Sequence, residues 1–477
     1  MTKDLKQFYI DGQWVDPLST DRCEVLNPAT EQAIATLAVG NSADIDRAVG
    51  AAKAAFSDWS MASVDERIAL LERVEAIYRN RRDEFARAMS DEMGCPITFS
   101  RDVQAPCGDG HLRATIDAMR AHRFERPSDR GGSLLIDEPI GVCGFITPWN
   151  WPVNQVIVKV APALAVGCTM VLKPSELSPI SAVMMAEVLD EAGCPPGVFN
   201  LVNGDGETTG ASLSAHPDID MVSFTGSTRA GTAISEAAAS TVKRVTLELG
   251  GKSPNVLFAD ADLESATAFS VNHCFSNTGQ SCDAPSRLLV DARVYDEVVN
   301  IAQRIASETR LGAPGQPGDH LGPLVSHRQF ERVQHLIQVG IDEGARLITG
   351  GIGKPEGFER GYYVRPTVFA DVQNSMRIAQ EEVFGPVLVI IPFTDEDNAV
   401  EIANDTPYGL AAFVQTADRE RAMRLAKRLR AGSVSINGAF ADYDVPFGGY
   451  KQSGNGRENG ALGLHDYLET KAINYED

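Results

Sequence analysis

Residues 221–231 of the chain are Met-Val-Ser-Phe-Thr-Gly-Ser-Thr-Arg-Ala-Gly, an apolar run that leads through a glycine into a helical pattern. Residues 221–225 favour a buried strand, and Gly226 permits a tight turn into a helix that begins at Ser227. The unpaired backbone N–H groups at the start of a helix form a natural site for an anion. We therefore predict a strand, a turn and a helix here, with a pyrophosphate held at the turn.

The same alternation extends outward on both sides of this unit. Helical spacing separates β-rich runs at residues 142–147, 169–173, 198–202, 221–225 and 244–248. Repeated strand, helix and strand imply right-handed crossovers and a parallel sheet that presents ligands at the carboxyl ends of its strands. The pattern predicts a dinucleotide-binding α/β domain, and a similar alternation from Pro254 to about Ser435 predicts a second α/β unit.

Local signals predict how the N-terminal part folds. Asp11-Gly12 stands between two apolar pairs, which is the sequence signal for a β-hairpin with a type I′ turn. Apolar residues recur at helical spacing from Ser42 to Trp59. Ser63 and Glu66 form a capping box at the start of a second helix, which we expect to stop at Gly94.

The composition places the chain among ordinary globular proteins. Of its 477 residues, 43% are hydrophobic and 23% are charged, which excludes wholesale disorder, a collagen-like chain and a disulfide-stapled mini-protein. Lys and Arg number 43 and Asp and Glu 65, so the formal net charge is −22. A surface this acidic repels a phosphate backbone and anionic lipid, so we expect neither nucleic-acid binding nor membrane docking.

No sequence signal for export or for a membrane span is visible. Residues 1–7 are polar, and the apolar stretch 153–172 is interrupted by Lys159, Pro162 and Gly167. The eight cysteines contain no C-x-x-C pair, which favours reduced thiols over disulfides or zinc. We expect a soluble, cytoplasmic protein without a metal site.

Two glycine-rich segments resemble nucleotide motifs without matching them. Gly204, Gly206 and Gly210 come close to G-x-G-x-x-G but have the wrong spacing, and turn glycines are the simpler interpretation. Residues 250–253, Gly-Gly-Lys-Ser, end like a P-loop, yet Thr246 stands where its first glycine is needed. ATP hydrolysis is therefore not supported.

Two residues stand out as candidates for covalent chemistry. Cys282 ends the small polar loop 277–282, whereas most free cysteines are inert fillers of the core. His273 lies upstream on a predicted helix, so a Cys–His pair is open but not indicated by the spacing. Glu248 ends a predicted strand, where parallel sheets present catalytic groups, and a satisfied surface carboxylate is an equally good interpretation.

Seven segments taken together are more specific than any one of them. They are Ile146–Pro152 (Ile-Thr-Pro-Trp-Asn-Trp-Pro), Leu172–Glu176 (Leu-Lys-Pro-Ser-Glu), Phe224–Ser227 (Phe-Thr-Gly-Ser), Leu247–Lys252 (Leu-Glu-Leu-Gly-Gly-Lys), Gly279–Cys282 (Gly-Gln-Ser-Cys), Glu381–Pro386 (Glu-Glu-Val-Phe-Gly-Pro) and Pro446–Lys451 (Pro-Phe-Gly-Gly-Tyr-Lys). This ordered series closely resembles the aldehyde dehydrogenase superfamily over nearly the whole chain.

The resemblance implies a chemistry for three of these residues. Cys282 attacks the aldehyde carbon, and the side-chain amide of Asn150 and the backbone N–H of Cys282 stabilise the oxyanion of the resulting thiohemiacetal. Hydride loss to a nicotinamide leaves a thioester, which water activated by Glu248 hydrolyses. Members that pass the thioester to coenzyme A generally lack this glutamate, so the implied enzyme is an NAD(P)-dependent aldehyde dehydrogenase that releases a carboxylic acid.

NAD is the cofactor that the resemblance favours. Lys173 and Glu176 match the positions that hold the adenosine ribose, and the carboxylate would repel the 2′-phosphate of NADP. Lys173 is expected among the catalytic residues as well. Outside the motif set, a surface Lys–Glu pair and a core role for Phe384 are the alternatives. The implied cofactor-binding residues are Ile146, Thr147, Pro148, Trp149, Lys173, Glu176, Gly206, Gly226, Ser227, Gly231, Leu249, Glu382 and Phe384.

The expected architecture is α/β: a parallel-sheet, Rossmann-like cofactor domain, a second α/β catalytic domain and a small β oligomerisation segment. The predicted bounds are 1–120 and 140–249 for the NAD-binding domain, 250–435 for the catalytic domain and 121–139 with 464–477 for the oligomerisation segment. Residues 436–463 are expected to form the returning connection that follows the catalytic domain, and to carry a substrate-pocket loop. The resemblance implies a homodimer or homotetramer.

The substrate is the least determined part of the prediction. Trp149, Trp151 and either Phe440 or Tyr443 are expected to line an aromatic tunnel, which favours an apolar aliphatic or aromatic aldehyde. Asp283 departs from the small or cysteine residue that is common after the nucleophile, and a capping carboxylate that points away is its simpler interpretation. A semialdehyde substrate stays open, as do a catalytically silent relative and an esterase that uses the same cysteine.

Overall fold

The fold is described from a computed structural model of residues 3–475. Residues 1, 2, 476 and 477, the outer ends of the predicted cofactor-binding and oligomerisation segments, lie outside the described residues. The strands of the described chain are β1 (Lys3–Leu5), β2 (Phe8–Ile10), β3 (Gln13–Val15), β4 (Arg22–Asn27), β5 (Gln32–Ala38), β6 (Glu125–Pro127), β7 (Ser133–Pro139), β8 (Val142–Ile146), β9 (Thr169–Lys173), β10 (Phe199–Leu201), β11 (Met221–Thr225), β12 (Arg244–Glu248), β13 (Pro254–Leu257), β14 (Arg287–Asp291), β15 (Arg346–Thr349), β16 (Thr367–Ala370), β17 (Val387–Phe393), β18 (Ala411–Gln415), β19 (Ser433–Ile436), β20 (Gly454–Asn455) and β21 (Leu468–Asn474).

The α-helices range from single turns to one of 30 residues. They are α1 (Ser42–Trp59), α2 (Val64–Met93), α3 (Ile97–Phe99), α4 (Ala105–Ala121), α5 (Pro152–Val166), α6 (Ile180–Glu191), α7 (Ala211–Ala215), α8 (Thr228–Ala238), α9 (Leu263–Phe275), α10 (Tyr295–Glu308), α11 (His327–Asp342), α12 (Arg377–Gln380), α13 (Glu396–Asn404), α14 (Arg419–Arg428) and α15 (Gly460–His465). Short π-helical turns at Ser100–Gln104 and Gly206–Gly210 precede α4 and α7.

The first large sheet has the strand order β20-β12-β11-β8-β9-β10-β2-β3. Its five central strands, β12 to β10, run parallel, and β20, β2 and β3 extend it antiparallel. Taken in chain order, the parallel strands follow the Rossmann arrangement, in which the direction of winding reverses between β8 and β11. Ligands of such sheets bind at the carboxyl ends of the two strands that flank this reversal. The predicted strands of this region are therefore confirmed, with the strand predicted at residues 198–202 observed as β10.

The second large sheet has the order β15-β16-β17-β14-β13-β18-β19. All its neighbours pair in parallel except β15, which lies antiparallel to β16 with a register shift between Leu347 and Thr349. The strands β14 and β17 are buried on both faces, as expected for a parallel sheet covered by helices. The second α/β unit predicted from Pro254 to about Ser435 is confirmed.

Two small sheets complete the fold. β1, β5 and β4 form one, and β21, β7 and β6 form an antiparallel sheet in which β21 is an edge strand. The partners β7 and β21 come from chain segments more than 300 residues apart, Glu138 pairing with Glu469 in register. The C-terminal strand is thereby joined to the connection between α4 and β8.

The local signals of the N-terminal part are confirmed. Asp11 and Gly12 both have positive φ, at 55° and 72°, as a type I′ turn between β2 and β3 requires. Ser63 and Glu66 form the reciprocal capping box of α2, and Gly94 ends that helix in the left-handed conformation. The helix α6 begins at Ile180, with Pro179 at its N-cap position.

The helices that cover the first sheet are largely apolar. Within α5 every residue is buried except Asn154, and the buried set includes the charged Lys159. No helix in the described range 3–475 is both long enough and apolar enough to cross a membrane.

Candidate active site

A crevice begins where the first sheet reverses its winding. Residues 147–151 follow β8, and Gly226 and Ser227 follow β11. Ser227 caps α8 by accepting a hydrogen bond at its hydroxyl from the backbone N–H of Ala230. Gly226 donates its N–H to the backbone oxygen of Glu248 at 3.0 Å, which ties this turn to the end of β12. The free N–H groups at the start of α8 therefore point into the crevice beside Glu248.

Lys173 ends β9 on the same edge of the sheet. Its Nζ lies 3.6 Å from the Glu176 carboxylate, and the lysine is 3% exposed whereas Glu176 is more open. Burial lowers the pKa of Lys173, an effect that the Glu176 carboxylate opposes. Gly206 begins the nearby π-helical turn, and a Cβ there would meet open space. This edge has room and paired polar groups for a ribose.

The loop that carries Cys282 is held in an unusual backbone conformation. After α9, Asn277 and Thr278 have φ values of 54° and 58°, and Gly279 follows at 72°. A Cβ at Gly279 would overlap the backbone of Gly385, so the two loops touch without a side chain between them. Non-glycine residues held at positive φ cluster at functional sites, where the surrounding structure enforces the strain.

Asn150 is locked against this loop. It is 3% exposed, and its Nδ2 donates to the backbone oxygen of Gln280 at 3.0 Å. Its own backbone oxygen accepts from the side chains of Gln104 at 3.3 Å and Asn277 at 2.9 Å. Gln280 precedes Cys282 by two residues in the same loop. An amide fixed to it in this way is a preorganised donor for an oxyanion.

Glycines bring the end of β12 against the cysteine loop. A Cβ at Gly251 would overlap the backbone oxygen of Cys282, and one at Gly250 would overlap the Glu382 carboxylate. The Gly251 N–H donates to Glu382 Oε1 at 3.0 Å. Only glycine can occupy positions 250 and 251. Around these two positions, the residues after Glu248 meet Cys282 and Glu382.

The thiol of Cys282 lies in an acidic environment. Burial raises the pKa of Cys282 well above its usual value, and the carboxylates of Asp283, Glu382 and Glu248 raise it further. Its neighbour Asp283 is partly exposed. With nothing else bound, the cysteine is therefore a neutral thiol near neutral pH.

Glu248 is a buried carboxylate without a hydrogen-bond partner. It is 5% exposed, and both its oxygens lack a partner within the described residues. Burial and the nearby Glu458 carboxylate raise the pKa of Glu248 well above its usual value, while Lys159 and Arg457 lower it. A carboxyl group whose pKa is raised in this way, and whose two oxygens have no partner among the described residues, is suited to proton transfer.

A buried ion pair lies behind Glu248. Lys159 Nζ is 2.6 Å from Glu458 Oε1 and donates to the Ser223 hydroxyl at 2.9 Å, and Lys159 is fully buried. The sequence showed Lys159 only as an interruption of an apolar stretch. Its partner lies 299 positions away along the chain, so no local pattern indicates the pair.

Glu382 and Phe384 form the opposite wall of the crevice. Burial raises the pKa of Glu382 to about 7, although its hydrogen bond from Gly251 opposes the shift. Phe384 has a φ of 59°, and its ring meets Trp149 edge-on at 5.4 Å between centroids. Gln329 on α11 fixes the strained residue by donating to its backbone oxygen at 2.9 Å.

The remaining predicted cofactor residues lie around this crevice. Ile146 ends β8, and Thr147 and Pro148 follow it. Gly231 lies on α8 directly against Leu249, because a Cβ there would crowd the leucine side chain. No group of three or more His, Cys, Asp or Glu side chains in residues 3–475 is arranged to hold a metal ion.

The predicted substrate-pocket residues Trp151, Tyr443 and Phe440 each contact a different part of the protein. Trp151 donates from Nε1 to the Ser281 hydroxyl at 2.9 Å and packs edge-on against Phe99. Tyr443 packs against His111 on α4 at 4.9 Å between ring centroids. Phe440 is 80% exposed and stacks on His273 of α9 at 5.9 Å.

The His273 ring lies among aromatic side chains. Its ring also meets Phe269 and Phe413, each at 5.1 Å between centroids. The residues that the sequence analysis missed are those whose partners are distant in sequence: Gln104, Asn154, Lys159, Asn277 and Glu458. A polar residue inside an apolar helical stretch is the sequence signal that identifies Lys159, which is buried, and Asn154, which is partly exposed.

The fold and the site define an oxidoreductase whose dinucleotide crevice opens beside a cysteine and a buried carboxylate. The model of the aldehyde dehydrogenase family matches residues 14–473. The chain therefore belongs to the aldehyde dehydrogenase family, whose members oxidise aldehydes. The predicted family and fold class are confirmed.

Individual relatives agree along nearly the whole chain. The 3-succinoylsemialdehyde-pyridine dehydrogenase of a Pseudomonas species is 52% identical, covering 99% of this chain and 98% of that protein. A mutant of aldehyde dehydrogenase C from Pseudomonas syringae, solved with NAD+ and octanal, is 51% identical with a TM-score of 0.97, covering 98% of this chain and 96% of that one. A Mycobacterium tuberculosis aldehyde dehydrogenase solved with NAD+ is 39% identical with the same TM-score, covering 100% of this chain and 99% of that one.

Proposed function

We propose that the chain oxidises an aldehyde to the carboxylic acid with NAD, through a covalent intermediate on Cys282. The observation that carries this proposal is the convergence of three groups from separate elements. Asn150 from the loop after β8, Glu248 from the end of β12 and Cys282 from the loop before β14 meet around Gly250 and Gly251.

In the first step, the Cys282 thiol gives up its proton to water as the sulfur forms a bond to the aldehyde carbon. The carbonyl electron pair moves onto oxygen, where Asn150 Nδ2 and the Cys282 backbone N–H donate to it. Each such donor is worth on the order of 3 kcal/mol in the transition state. Asn150 is prepared for this role, because its hydrogen bond to Gln280 fixes the amide before substrate arrives.

When bound, NAD supplies the acceptor for the hydride that leaves the adduct, and a thioester on Cys282 remains. Glu248 then takes a proton from water as the water oxygen bonds to the thioester carbon. Collapse of that second adduct breaks the carbon–sulfur bond, which releases the acid and returns the sulfur of Cys282. The unpartnered oxygens of Glu248 favour this role, because nothing in the surrounding protein competes for them.

The crevice suits NAD. The start of α8 offers free N–H groups to a pyrophosphate, and the Lys173–Glu176 pair offers a donor and an acceptor to a ribose. The Glu176 carboxylate would repel a 2′-phosphate, which disfavours NADP. The NAD+ complexes of the relatives from Pseudomonas syringae and Mycobacterium tuberculosis support the same choice.

We also propose the division of labour among the chain's parts that the sequence predicts. Residues 1–120 and 140–249 would bind the cofactor, and 250–435 would supply Cys282. Residues 121–139 and 464–477 would bridge subunits of a homodimer or homotetramer through the β21 edge. A cytoplasmic location is the simplest one for a chain with eight cysteines that form no disulfide in the described structure.

For the substrate we propose an aldehyde on a largely carbon body. Trp151 bonds to the Ser281 hydroxyl next to Cys282 and offers an aromatic wall there, and the relative from Pseudomonas syringae was solved with octanal. Absorbance at the NADH band with a panel of aldehydes tests the proposal. We expect NADH and one equivalent of acid from octanal, and a wild-type protein that forms neither with any aldehyde would contradict it.

A further inference from the structure

Gln104 is a buried amide that reaches the active site from a distant part of the chain. It ends the π-helical turn Ser100–Gln104 before α4 and is 1% exposed. Single π-helical turns occur frequently at functional sites. The residue lies 46 positions before Asn150 and 173 before Asn277 of the Cys282 loop, and it contacts both. The proposed reaction gives Gln104 no part, yet it joins two of the segments that carry out the reaction.

The nitrogen end of the Gln104 amide contacts two oxygens. Nε2 lies 3.3 Å from the backbone oxygen of Asn150 and 3.1 Å from Oδ1 of Asn277. Because an amide nitrogen carries two N–H groups, it can donate to both oxygens at once, whereas an amide oxygen in its place would repel them. The Met93 sulfur, at 3.7 Å from Nε2, is only a weak acceptor. The two oxygens therefore fix the orientation of the Gln104 amide.

Gln104 in turn fixes the orientation of the Asn277 amide. Because Asn277 Oδ1 accepts from Gln104, its Nδ2 is turned toward the backbone oxygens of Asn150 at 2.9 Å and Gln280 at 3.2 Å, and donates to both. The same Gln280 oxygen accepts from Asn150 Nδ2 at 3.0 Å. One N–H of the Asn150 amide is thereby committed to Gln280, which leaves its second N–H, in a set direction, for the oxyanion that we assign to it.

Stability of the fold does not by itself account for Gln104. Its Oε1 is buried without a hydrogen-bond partner among the described residues, and an unmet buried acceptor destabilises the folded state. The Asn150 backbone oxygen already has a second donor in Asn277. A leucine would fill a similar space without the unmet oxygen. A buried amide kept under these conditions is typical of a site where the orientation of a neighbouring group matters.

We propose that Gln104 is a positioning residue for the oxidation, and that it acts through Asn150 by holding the Asn150 amide in line with the oxyanion. The same donor serves the thiohemiacetal and the later adduct of water with the thioester, so Gln104 supports acylation and deacylation alike. Its contact is to the backbone of Asn150, so it takes no part in the bond changes themselves. The inference rests on the proposed function, because it assumes that Asn150 donates to the oxyanion.

The test follows octanal oxidation by NADH fluorescence in a double-mutant cycle. Gln104→Leu removes both donated bonds, and we expect kcat to fall about tenfold or more, since loss of a whole oxyanion donor costs about 10²–10³-fold. KM for octanal and the Kd of NAD should change by less than about twofold, because Asn150 acts on the tetrahedral adducts. In an Asn150→Ala background, Gln104→Leu should lower kcat by less than about twofold, because the amide that it positions is absent.

Companion measurements separate positioning from structural damage. Gln104→Met has an unbranched side chain that adapts to the same space, and it should show the same loss of kcat even if the leucine variant folds poorly. Alkylation of Cys282 by iodoacetamide needs no oxyanion donor, so its rate and pH midpoint should stay as in the wild type in both variants. Gln303→Leu is the matched control: Nε2 of Gln303 donates to the backbone oxygen of Ile348 at 3.0 Å on the surface, and kcat should not change.

The outcomes distinguish the two proposals. Wild-type kcat in both Gln104 variants, or an equal loss with and without the Asn150 amide, would overturn the positioning role. Altered alkylation of Cys282 would assign the effect to the cysteine loop, and unfolding of both variants would assign Gln104 to stability; either result also overturns the proposal. An Asn150→Ala variant with the wild-type kcat, or a wild-type protein that forms no NADH, would contradict the proposed function itself.

Discussion

At the residue scale, Cys282 and Glu248 influence each other's ionisation. Burial raises the pKa of each group, and the Glu248 carboxylate, when ionised, raises the pKa of the thiol further. Since the interaction between two titrating groups is mutual, a thiolate at Cys282 also opposes ionisation of Glu248. An acylated sulfur carries no charge, so Glu248 ionises more readily beside the thioester than beside a thiolate. This difference favours the role of base that we propose for Glu248 in deacylation.

Replacement of Cys282 by alanine tests the nucleophile. We expect aldehyde oxidation to fall by on the order of 10⁴-fold or more, because Cys282 is the only cysteine in the loop 276–286 that Asn150 contacts. NAD binding, followed by quenching of intrinsic fluorescence, should be retained because the crevice residues are untouched. Turnover near the wild-type rate in the alanine variant would remove Cys282 from the mechanism.

Glu248→Gln separates the two halves of the reaction. Glutamine keeps the volume but accepts no proton at neutral pH, so deacylation should stall after one equivalent of NADH. Acylation should persist, since loss of the carboxylate lowers the pKa of Cys282. Rapid-mixing absorbance should show a burst, and intact-protein mass should show the acyl adduct. Slow turnover without a burst would place Glu248 before hydride loss, and full turnover would exclude it as the base.

Asp283→Asn tests the acidic environment of the thiol. Its carboxylate raises the pKa of Cys282, so the variant should ionise at lower pH and the midpoint of iodoacetamide alkylation should shift to lower pH. Peptide mass spectrometry must follow Cys282 itself, because Cys23 is also partly exposed. Asp129→Asn, at an exposed position, is the control and should leave the midpoint unchanged. A midpoint that stays fixed in Asp283→Asn would mean that this carboxylate points away from the thiol.

At the scale of elements, the sequence predicted the strands better than the loops that join them. The parallel strands β8, β9 and β11 are largely apolar and buried along their whole length, and such strands can be predicted from the sequence without knowledge of their partners. The site depends instead on contacts between distant loops. The Gln104–Asn150 bond, the Lys159–Glu458 pair and the positive φ of Phe384 leave no local pattern. Local sequence alone pointed to Cys282, Glu248 and the turn at Gly226 and Ser227, whereas the other site residues came from the family resemblance.

Gly279→Ala tests whether the loop geometry positions Cys282. The position has a φ of 72°, and a Cβ would overlap the Gly385 backbone, so both strain and a clash oppose alanine. We expect a loss of stability above about 1 kcal/mol together with a large loss of activity. Gly50→Ala is the matched control: it lies exposed within α1 with open space at its Cβ, and alanine should stabilise by about 0.5–1 kcal/mol. Thermal denaturation and NADH formation measure both. Equal behaviour of the two variants would show that the loop tolerates a side chain.

At the scale of the whole molecule, the active site and the proposed subunit contact are separate. Asn150, Glu248 and Cys282 all come from one chain, whereas the sheet of β6, β7 and β21 leaves the edge of β21 unpaired within the described structure. Unpaired edges with exposed apolar side chains attract another strand, and Ile473 on β21 is 41% exposed. A subunit contact at this edge can therefore be weakened without a change in the catalytic residues.

Ile473→Lys tests this edge as the proposed subunit contact. A lysine on an edge strand opposes pairing with a second strand, because association would bury its charge. We expect sedimentation velocity to show a shift from dimer or tetramer toward smaller species, with kcat per chain retained because each chain holds a complete set of catalytic groups. Met61→Lys is the control, since Met61 is 82% exposed in the turn between α1 and α2 and lies on no strand. A wild-type chain that sediments as a monomer would refute subunit association. An Ile473→Lys variant that sediments like the wild type would assign the contact to another surface.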